Sequence, residues 1–504
     1  MVIFLHICMV YDNTESSYFL ITFYTRKMVS RRNFLKTAGA AAVALAVENP
    51  IHAIDTVSPK NPAMGRKTGE KVNVALIGIG HRGNENAKEV AKTGLANVVA
   101  LCDVNMGAEH TAEVMGMFPK AKRYKDFRKM FDEMGKDIEA VFVSTPDFSH
   151  FPIAMRAIKE GIHVYCEKPL ARTFHENGLL MEAAKRHPKV VTQMGNQGHS
   201  GENYFQFKAW CEAGIIKDVY RIDAHMNNSR RWHVLDPNIT KFPEADPMPA
   251  NMDWDVWQMQ TMYHDYSKWF DEGNWRCWYD FGMGALGDWG AHIFDTAHQF
   301  LELGLPYEVG MLKVEGHNDY FFPMSSTIRF RFPRRGSKPA CDLTWYDGIG
   351  NYPEIPEGYG LSEVSDVPTV AGQAYQAAKL NPGKIIYGRD YIFKGSSHSS
   401  PLHIIPEEVE KQLMAEHKLP EVPESPSNHY ENFLKACMGQ EKPRSPFEIS
   451  GVLCQVMNLG VIAQRLNTTF KFDRLSGEII DNPFANALLT SIPPRKGWED
   501  YYVL

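Results

Sequence analysis

The chain has 504 residues, 44% hydrophobic and 23% charged, a composition typical of a folded globular protein, and its length predicts two domains rather than one. Its net charge of −6 comes with no basic run in the body of the chain, which argues against a nucleic-acid footprint and leaves small-molecule chemistry. The 8 cysteines show no CxxC or other ligand-like spacing and no HExxH pattern occurs, so neither a disulfide framework nor a metal site is indicated.

Residues 30–36 read SRRNFLK, an apolar run follows over 38–47, and small residues close the segment at 51–53. This is the pattern of a twin-arginine export signal, which sends the protein to the periplasm or otherwise out of the cytoplasm. The apolar run is too short to stay as a permanent membrane span. Such signals sit at the extreme N-terminus, so Met28 is the expected start. Residues 1–27 then read as a mis-assigned start, 28–54 as the signal, and 55–70, rich in Pro, Lys and Gly, as a linker.

Residues 71–83 read KVNVALIGIGHRG: an apolar strand, then Gly78, Gly80 and Gly83 in GxGxxG spacing, then a helical pattern through Lys92. A second apolar strand, NVVALCD, ends at Asp103, about 20 residues beyond the last glycine. In that context the motif is a dinucleotide fingerprint. The glycines permit a tight turn and close approach of a pyrophosphate, the helix N-terminus faces its charge, and the carboxylate takes ribose hydroxyls. Asp103 repels a 2′-phosphate and favours NAD over NADP, although Arg82 and Asn105 offer places for extra charge. Uptake of such a cofactor before export suits the twin-arginine route, which moves folded proteins.

The alternation continues with strand EAVFVST (139–145), a helix over about 148–160, strand IHVYCEKP, a helix over about 174–187 and strand KVVTQMG. This rhythm predicts a doubly wound parallel sheet over 71–194, with ligands beyond the carboxyl ends of its strands. The expected cofactor contacts are Gly78, Ile79, Gly80, His81, Arg82, Gly83, Asp103, Ser144, Thr145, Pro146, His150, Glu167, Lys168 and Asn196. Lys168 precedes a proline at a strand tip and is held out of helical geometry; it is either a functional lysine or an ordinary solvated one.

Residues 287–292 read GDWGAH, which puts Asp288 and His292 one helical turn apart on the same face. An imidazole is well matched to proton exchange with a hydroxyl. Taken alone, a glycine-flanked Asp288 is also a good N-cap and His292 a satisfied core histidine. Capping and catalysis are not exclusive.

The fingerprint, EKP at 167–169 and GDWGAHIFD at 287–295, in that order, resemble the Gfo/Idh/MocA family of NAD(P)-dependent sugar and inositol oxidoreductases. The Trp-rich approach WRCWYDFGMG (275–284) is similar to the family's exported branch, and the resemblance runs from about residue 71 to the C-terminus. It implies an N-terminal Rossmann domain joined, over 195–504, to an α+β domain. That domain is built on a large, mostly antiparallel open sheet, which covers the nicotinamide and often supplies the interface of a homo-oligomer, here expected as a dimer or tetramer. Strand-like runs at 219–226, 308–316, 326–332, 341–347 and 383–393 agree. Helical periodicity returns over 427–465, a segment expected to pack back near the first domain.

Carried over by motif, the family's catalytic trio falls on Lys168, Asp288 and His292. The lysine polarises the reacting hydroxyl or carbonyl, the histidine exchanges the proton, and the aspartate orients. Gln197 and His199, in the segment GNQGHS, are expected to contact sugar, a hydrogen-bonded turn being the alternative for that segment. His264, Trp275, Arg276 and Trp289, with Trp254 and Trp257, are further candidates for sugar recognition, about half of them expected in the core. The implied function is oxidation or reduction of a secondary hydroxyl or carbonyl of a sugar, glycoside or inositol, for instance to a 3-keto sugar, with a retained cofactor. One alternative is a glycosidase that works by transient oxidation, elimination and re-reduction. The family's exported α-N-acetylgalactosaminidases are expected to lack the EKP lysine that is intact here. The other is a non-catalytic sugar-binding protein.

Overall fold

The computed structural model describes residues 70–228, 236–271, 273–360, 380–490 and 492–504; the export signal and nearly all of the linker lie outside the described residues. Six strands form the first sheet: β1 (Val72–Ile77), β2 (Ala96–Cys102), β3 (Lys122–Tyr124), β4 (Ala140–Val143), β5 (His163–Cys166) and β6 (Thr192–Met194). Their order is β3-β2-β1-β4-β5-β6 and every pairing is parallel. All residues of β4 and β5 are buried, as expected for strands covered by helices on both faces. Strand order reverses between β1 and β4, so a crevice opens beyond their carboxyl ends.

The second sheet uses β7 (Arg221–Met226), β8 (Glu308–Glu315), β9 (Ser325–Phe332), β10 (Cys341–Asp347), β11 (Gly383–Tyr387), β12 (Ile392–Gly395), β13 (His403–Ile405), β14 (Thr469–Asp473) and β15 (Glu478–Ile479). Its order is β13-β12-β11-β7-β10-β9-β8-β14-β15, antiparallel except where β7 runs parallel to β10. Residues 383–393, read in sequence as one strand, are two strands of a hairpin. Gly388 N–H donates to Tyr391 O at 3.0 Å, which folds the chain back between them. Residues 427–465 likewise divide into helices His429–Cys437 and Phe447–Leu466. Gly439, at φ 74°, terminates the first, and Pro446 precedes the second.

Helix Phe447–Leu466 is long and apolar enough to cross a membrane, yet it is the spine of the core. Its Asn458 Oδ1 accepts from Asn177 Nδ2 of helix Phe174–Arg186 at 2.8 Å. Its Gly460 lies against Phe330 of β9 and Leu286, and its Met457 against Gly290. One hydrophobic cluster therefore runs from Val143 and Met194 of the first sheet to Ile222 and Trp345 of the second. The described cysteines are all free thiols, and all but Cys211 are buried.

Candidate active site

The fingerprint loop joins β1 to helix His81–Thr93, whose N-cap is Gly80. Gly78 sits at φ 76°, and a Cβ there would approach Ser144 O to 2.7 Å; one on Gly83 would land on Gly78 O. Only glycine fits at either place, so the loop lies flat against the tip of β4, with Gly78 N–H donating to Cys102 O at 2.8 Å and Gly83 N–H to Gly80 O at 2.7 Å. Asp103, at the end of β2, accepts from Ile79 N–H and Asn105 N–H, both at 3.0 Å, which aims its carboxylate along the loop. His110 Nε2 is 3.7 Å from Asp103 Oδ1, and the His81 ring stacks on His110 beside Gly80.

Arg82 turns inward. Its Nε donates to Glu167 Oε1 at 3.2 Å and its Nη2 to Tyr430 OH at 2.9 Å. Burial opposes the guanidinium charge, but Glu167 and Tyr430 more than offset it and hold Arg82 above its ordinary pKa. Engaged in this way, it is not the receptor for extra phosphate charge that its position in the sequence allowed. Asn86 joins the network, donating to Glu167 Oε1 and Ser144 Oγ and accepting from Tyr430 OH. Gln197, expected to touch substrate, instead lies against Gly195 O, Arg82 and Tyr430.

The tips of β4 and β5 are latched together. His150 Nδ1 faces Pro169 O and Nε2 faces Thr145 O, each at 2.8 Å, so neither ring nitrogen is left for a cofactor. Burial holds this histidine below its ordinary pKa. Ser149 Oγ donates to Thr145 Oγ1 and Pro146 O, closing the turn that follows β4.

Lys168 projects from this latch toward helix Gly284–Ile293. Its Nζ donates to Asp288 Oδ1 at 2.6 Å and to Asp288 O at 2.8 Å, leaving one ammonium hydrogen for a ligand oxygen. Burial lowers the lysine pKa and the Asp288 carboxylate works against that fall. Arg276 Nε is 4.0 Å from Asp288 Oδ1, and its guanidinium covers the Trp275 ring at 4.1 Å. His292 follows one turn after Asp288, is 4% exposed, and has its pKa lowered by burial first and by His398 and Lys168 next. Its ring stacks on His398 at 4.0 Å, with the Trp289 edge against both.

Asp288 is not the helix cap. It lies inside helix Gly284–Ile293, whose N-cap is Met283, and the acid at the helix start is Asp147, whose Oδ2 accepts from Met283 N–H at 3.1 Å. Burial pushes the Asp147 carboxyl up to about 7, against the pull of Arg276 and Lys168. Sequence reasoning passed over Asp147, although it directly follows Pro146 at a strand tip. It also passed over Asn86, Tyr430 and His398, which carry no local signal.

The remaining candidates are engaged by other protein groups. Asn196 Nδ2 donates to Asp295 Oδ2 at 3.3 Å, and His199 Nε2 lies 3.2 Å from the same oxygen, within a hydrogen-bonded turn over Gln197–Ser200. His264 Nε2 meets Asp280 Oδ2 at 2.9 Å while its ring packs on Phe242, Phe270 and Phe281. Trp254 and Trp257 stack at 4.3 Å in the core, and Trp254 Nε1 donates to His264 O. Their apolar faces are covered by protein instead of facing a sugar ring.

Among the buried polar atoms that find no hydrogen-bond partner among the described residues are Asn105 Oδ1 beside Asp103, Asn196 Oδ1 beyond β6, and His292 Nδ1. Orphaned buried polar atoms mark places for ligand or solvent contacts. Together with the glycine cradle and Asp103, they fit a dinucleotide.

Residues 72–194 match the family model of the Gfo/Idh/MocA oxidoreductases, described as an NAD-binding Rossmann fold. Residues 28–47 match the twin-arginine translocation signal, which assigns the chain to that export route. An α-N-acetylgalactosaminidase of Shewanella oneidensis is 27% identical over 226 residues, covering 42% of this chain and 48% of that protein. An inositol 2-dehydrogenase of Salmonella typhimurium is 29% identical over 146 residues, 29% of this chain and 43% of that one. The chain thus spans about half the length of the curated relatives it matches. Among solved structures, the WlbA dehydrogenase of Bordetella pertussis, crystallised with NADH and UDP-GlcNAcA, superposes with a TM-score of 0.52 at 14% identity, over 80% of this chain and 99% of that one. At that identity the likeness concerns the fold.

Proposed function

With residues 72–194 established as a Gfo/Idh/MocA NAD-binding Rossmann domain, we propose that the whole protein is an exported, NAD-dependent oxidoreductase acting on a CH–OH group of a sugar, glycoside or inositol. The single observation that carries this reading is the Lys168–Asp288 ion pair at 2.6 Å, one helical turn from a buried, uncharged His292. Gly78 to Gly83 and Asp103 would hold the dinucleotide, whose nicotinamide takes or returns hydride when bound. Lys168 donates its remaining hydrogen to the reacting oxygen, and its charge, fixed by Asp288, stabilises that oxygen as it becomes negative. His292, kept neutral by burial, accepts the hydroxyl proton in oxidation and returns it in reduction. Arg276 and Trp289 line the same place and are the residues of this reading that meet the sugar. A dimer or tetramer formed through the open sheet belongs to the same reading, and light scattering of the purified protein checks it.

Purification of the mature protein, identification of its bound nucleotide after denaturation, and nicotinamide absorbance against a panel of glycosides, free sugars and inositols test the proposal. Absence of nucleotide, or no absorbance change with any member of the panel, sinks it.

The likeness to the Shewanella α-N-acetylgalactosaminidase supports a second reading, in which the same site oxidises the sugar transiently, eliminates the glycosidic bond and reduces the product. Release of chromophore from aryl glycosides without net NADH separates this from the first.

A further inference from the structure

His398 belongs to the second sheet's side of the molecule, in a loop just after β12, and no local motif marks it. The loop is built to deliver it. His398 has φ 51°, a left-handed conformation that is uncommon for histidine and persists only where the surroundings impose it. Those surroundings are visible on every side. Ser399 O accepts from Asn203 N–H, and Leu402 exchanges hydrogen bonds with the Gln206 amide, which ties the loop to helix Glu202–Glu212. Gly198 presses so close that a Cβ there would sit 2.8 Å from His398 O.

The result is a double grip on His292. His398 N–H donates to His292 O at 2.9 Å, and the two rings lie face to face at 4.0 Å with 17° between their planes. Ser397 Oγ lies 2.8 Å from His398 Nδ1 and sets the second ring's orientation.

We propose that His398 is a positioning residue for the reaction assigned above. It fixes the plane of the His292 ring and, because two imidazolium ions cannot share a stack at that separation, keeps His292 in its uncharged, proton-accepting form. The inference rests on His292 being the base of the proposed oxidoreductase. Two like charges in such a stack repel each other strongly, so the pair holds one proton at most near neutrality. His398 is half-buried and His292 buried, so the desolvation that opposes a charge bears harder on His292. The other charges that face His292 are Lys168 and Arg82, which act in the same direction as His398, and Asp288, which opposes them.

The test reads His292 directly, by proton–carbon NMR of the full-length mature protein labelled at histidine, with His292→Gln identifying the resonance. In His398→Phe, which keeps a stacked ring without a charge, the His292 titration moves up by about half a pH unit or more. The acid limb of kcat follows it, while KM stays within about twofold. His398→Gln, which removes the ring, moves the titration in the same direction and also lowers kcat at the pH optimum. His398→Asn serves in its place should His398→Gln not fold. An unmoved His292 titration in the folded variants overturns the inference. A moved titration in a protein that oxidises nothing leaves the His292–His398 coupling standing and removes the oxidoreductase reading.

Discussion

Asp147 serves the site through the backbone that carries it, accepting from Met283 N–H at the start of helix Gly284–Ile293. Its folded carboxyl stands at about 7 against 3.8 for the unfolded chain. The folded state therefore prefers the protonated acid: the resulting stability is fully present below pH 3.8 and is lost as pH rises through about 7. Asp147→Asn keeps an oxygen for Met283 N–H and removes the titration, so relative to the wild type it should be more stable at pH 8 than at pH 5. Urea unfolding at the two pH values measures the difference, and an equal offset at both contradicts it. Lys168→Met acts on the chemistry instead. It strips Asp288 of its cation and the reacting oxygen of its donor, and turnover should fall by about a hundredfold or more. Bound nucleotide, assayed after denaturation, should persist.

Helix Gly284–Ile293 spends helix propensity on proximity. Its interior carries Gly287 and Gly290, each costing about 0.5–1 kcal/mol relative to alanine in a helix interior. At Gly290 a Cβ would meet Met457 Sδ at 2.8 Å and Phe294 Cε1 at 2.9 Å, so the glycine lets this helix seat against the spine helix and aim Asp288 and His292 at Lys168. Gly290→Ala should lower stability by about 1–3 kcal/mol, the range for overpacking a filled core, despite its better propensity. Gly116→Ala, on an exposed helix with nothing within 4 Å of the new methyl, should be neutral or stabilise by up to about 1 kcal/mol. Denaturant melts of both variants make the comparison, and a destabilised Gly116→Ala or an unaffected Gly290→Ala contradicts it.

The whole molecule buries several histidines in neutral form. Burial lowers His163, His225 and His298 to about 4 and His429 to about 3, from an ordinary 6.5. The folded state thus disfavours their protonation, and the stability they contribute is full above pH 6.5 and lost as pH falls toward 4. Each contributes a slope of up to about 1.4 kcal/mol per pH unit in that window. The melting temperature should decline steeply between pH 6.5 and 4; a flat profile refutes the assignment. His429 Nε2 faces Met194 O while its neighbour Tyr430 holds Arg82, so acid loosens the same contact that ties the C-terminal helices to the cofactor loop.

What the sequence by itself determined is whatever is encoded within a few neighbouring residues. The glycines of the fingerprint announce a loop that only glycine can form, the strand–helix rhythm announces the parallel sheet, and the paired arginines with their apolar run announce export. The spacing of Asp288 and His292 puts both on one helix face wherever that helix is placed. Partners are another matter, because they arrive from far along the chain. That Asp147 rather than Asp288 accepts from the backbone at the helix start, that Arg82 turns in to Glu167 and Tyr430, that His199 spends itself on Asp295 and His264 on Asp280, and that His398 closes over His292 all depend on contacts spanning from 16 to more than 300 residues. A side chain's local pattern fixes where it points along its own element, whereas its burial, charge and partner are set by which distant surface packs against it. Only the tertiary structure supplies that surface.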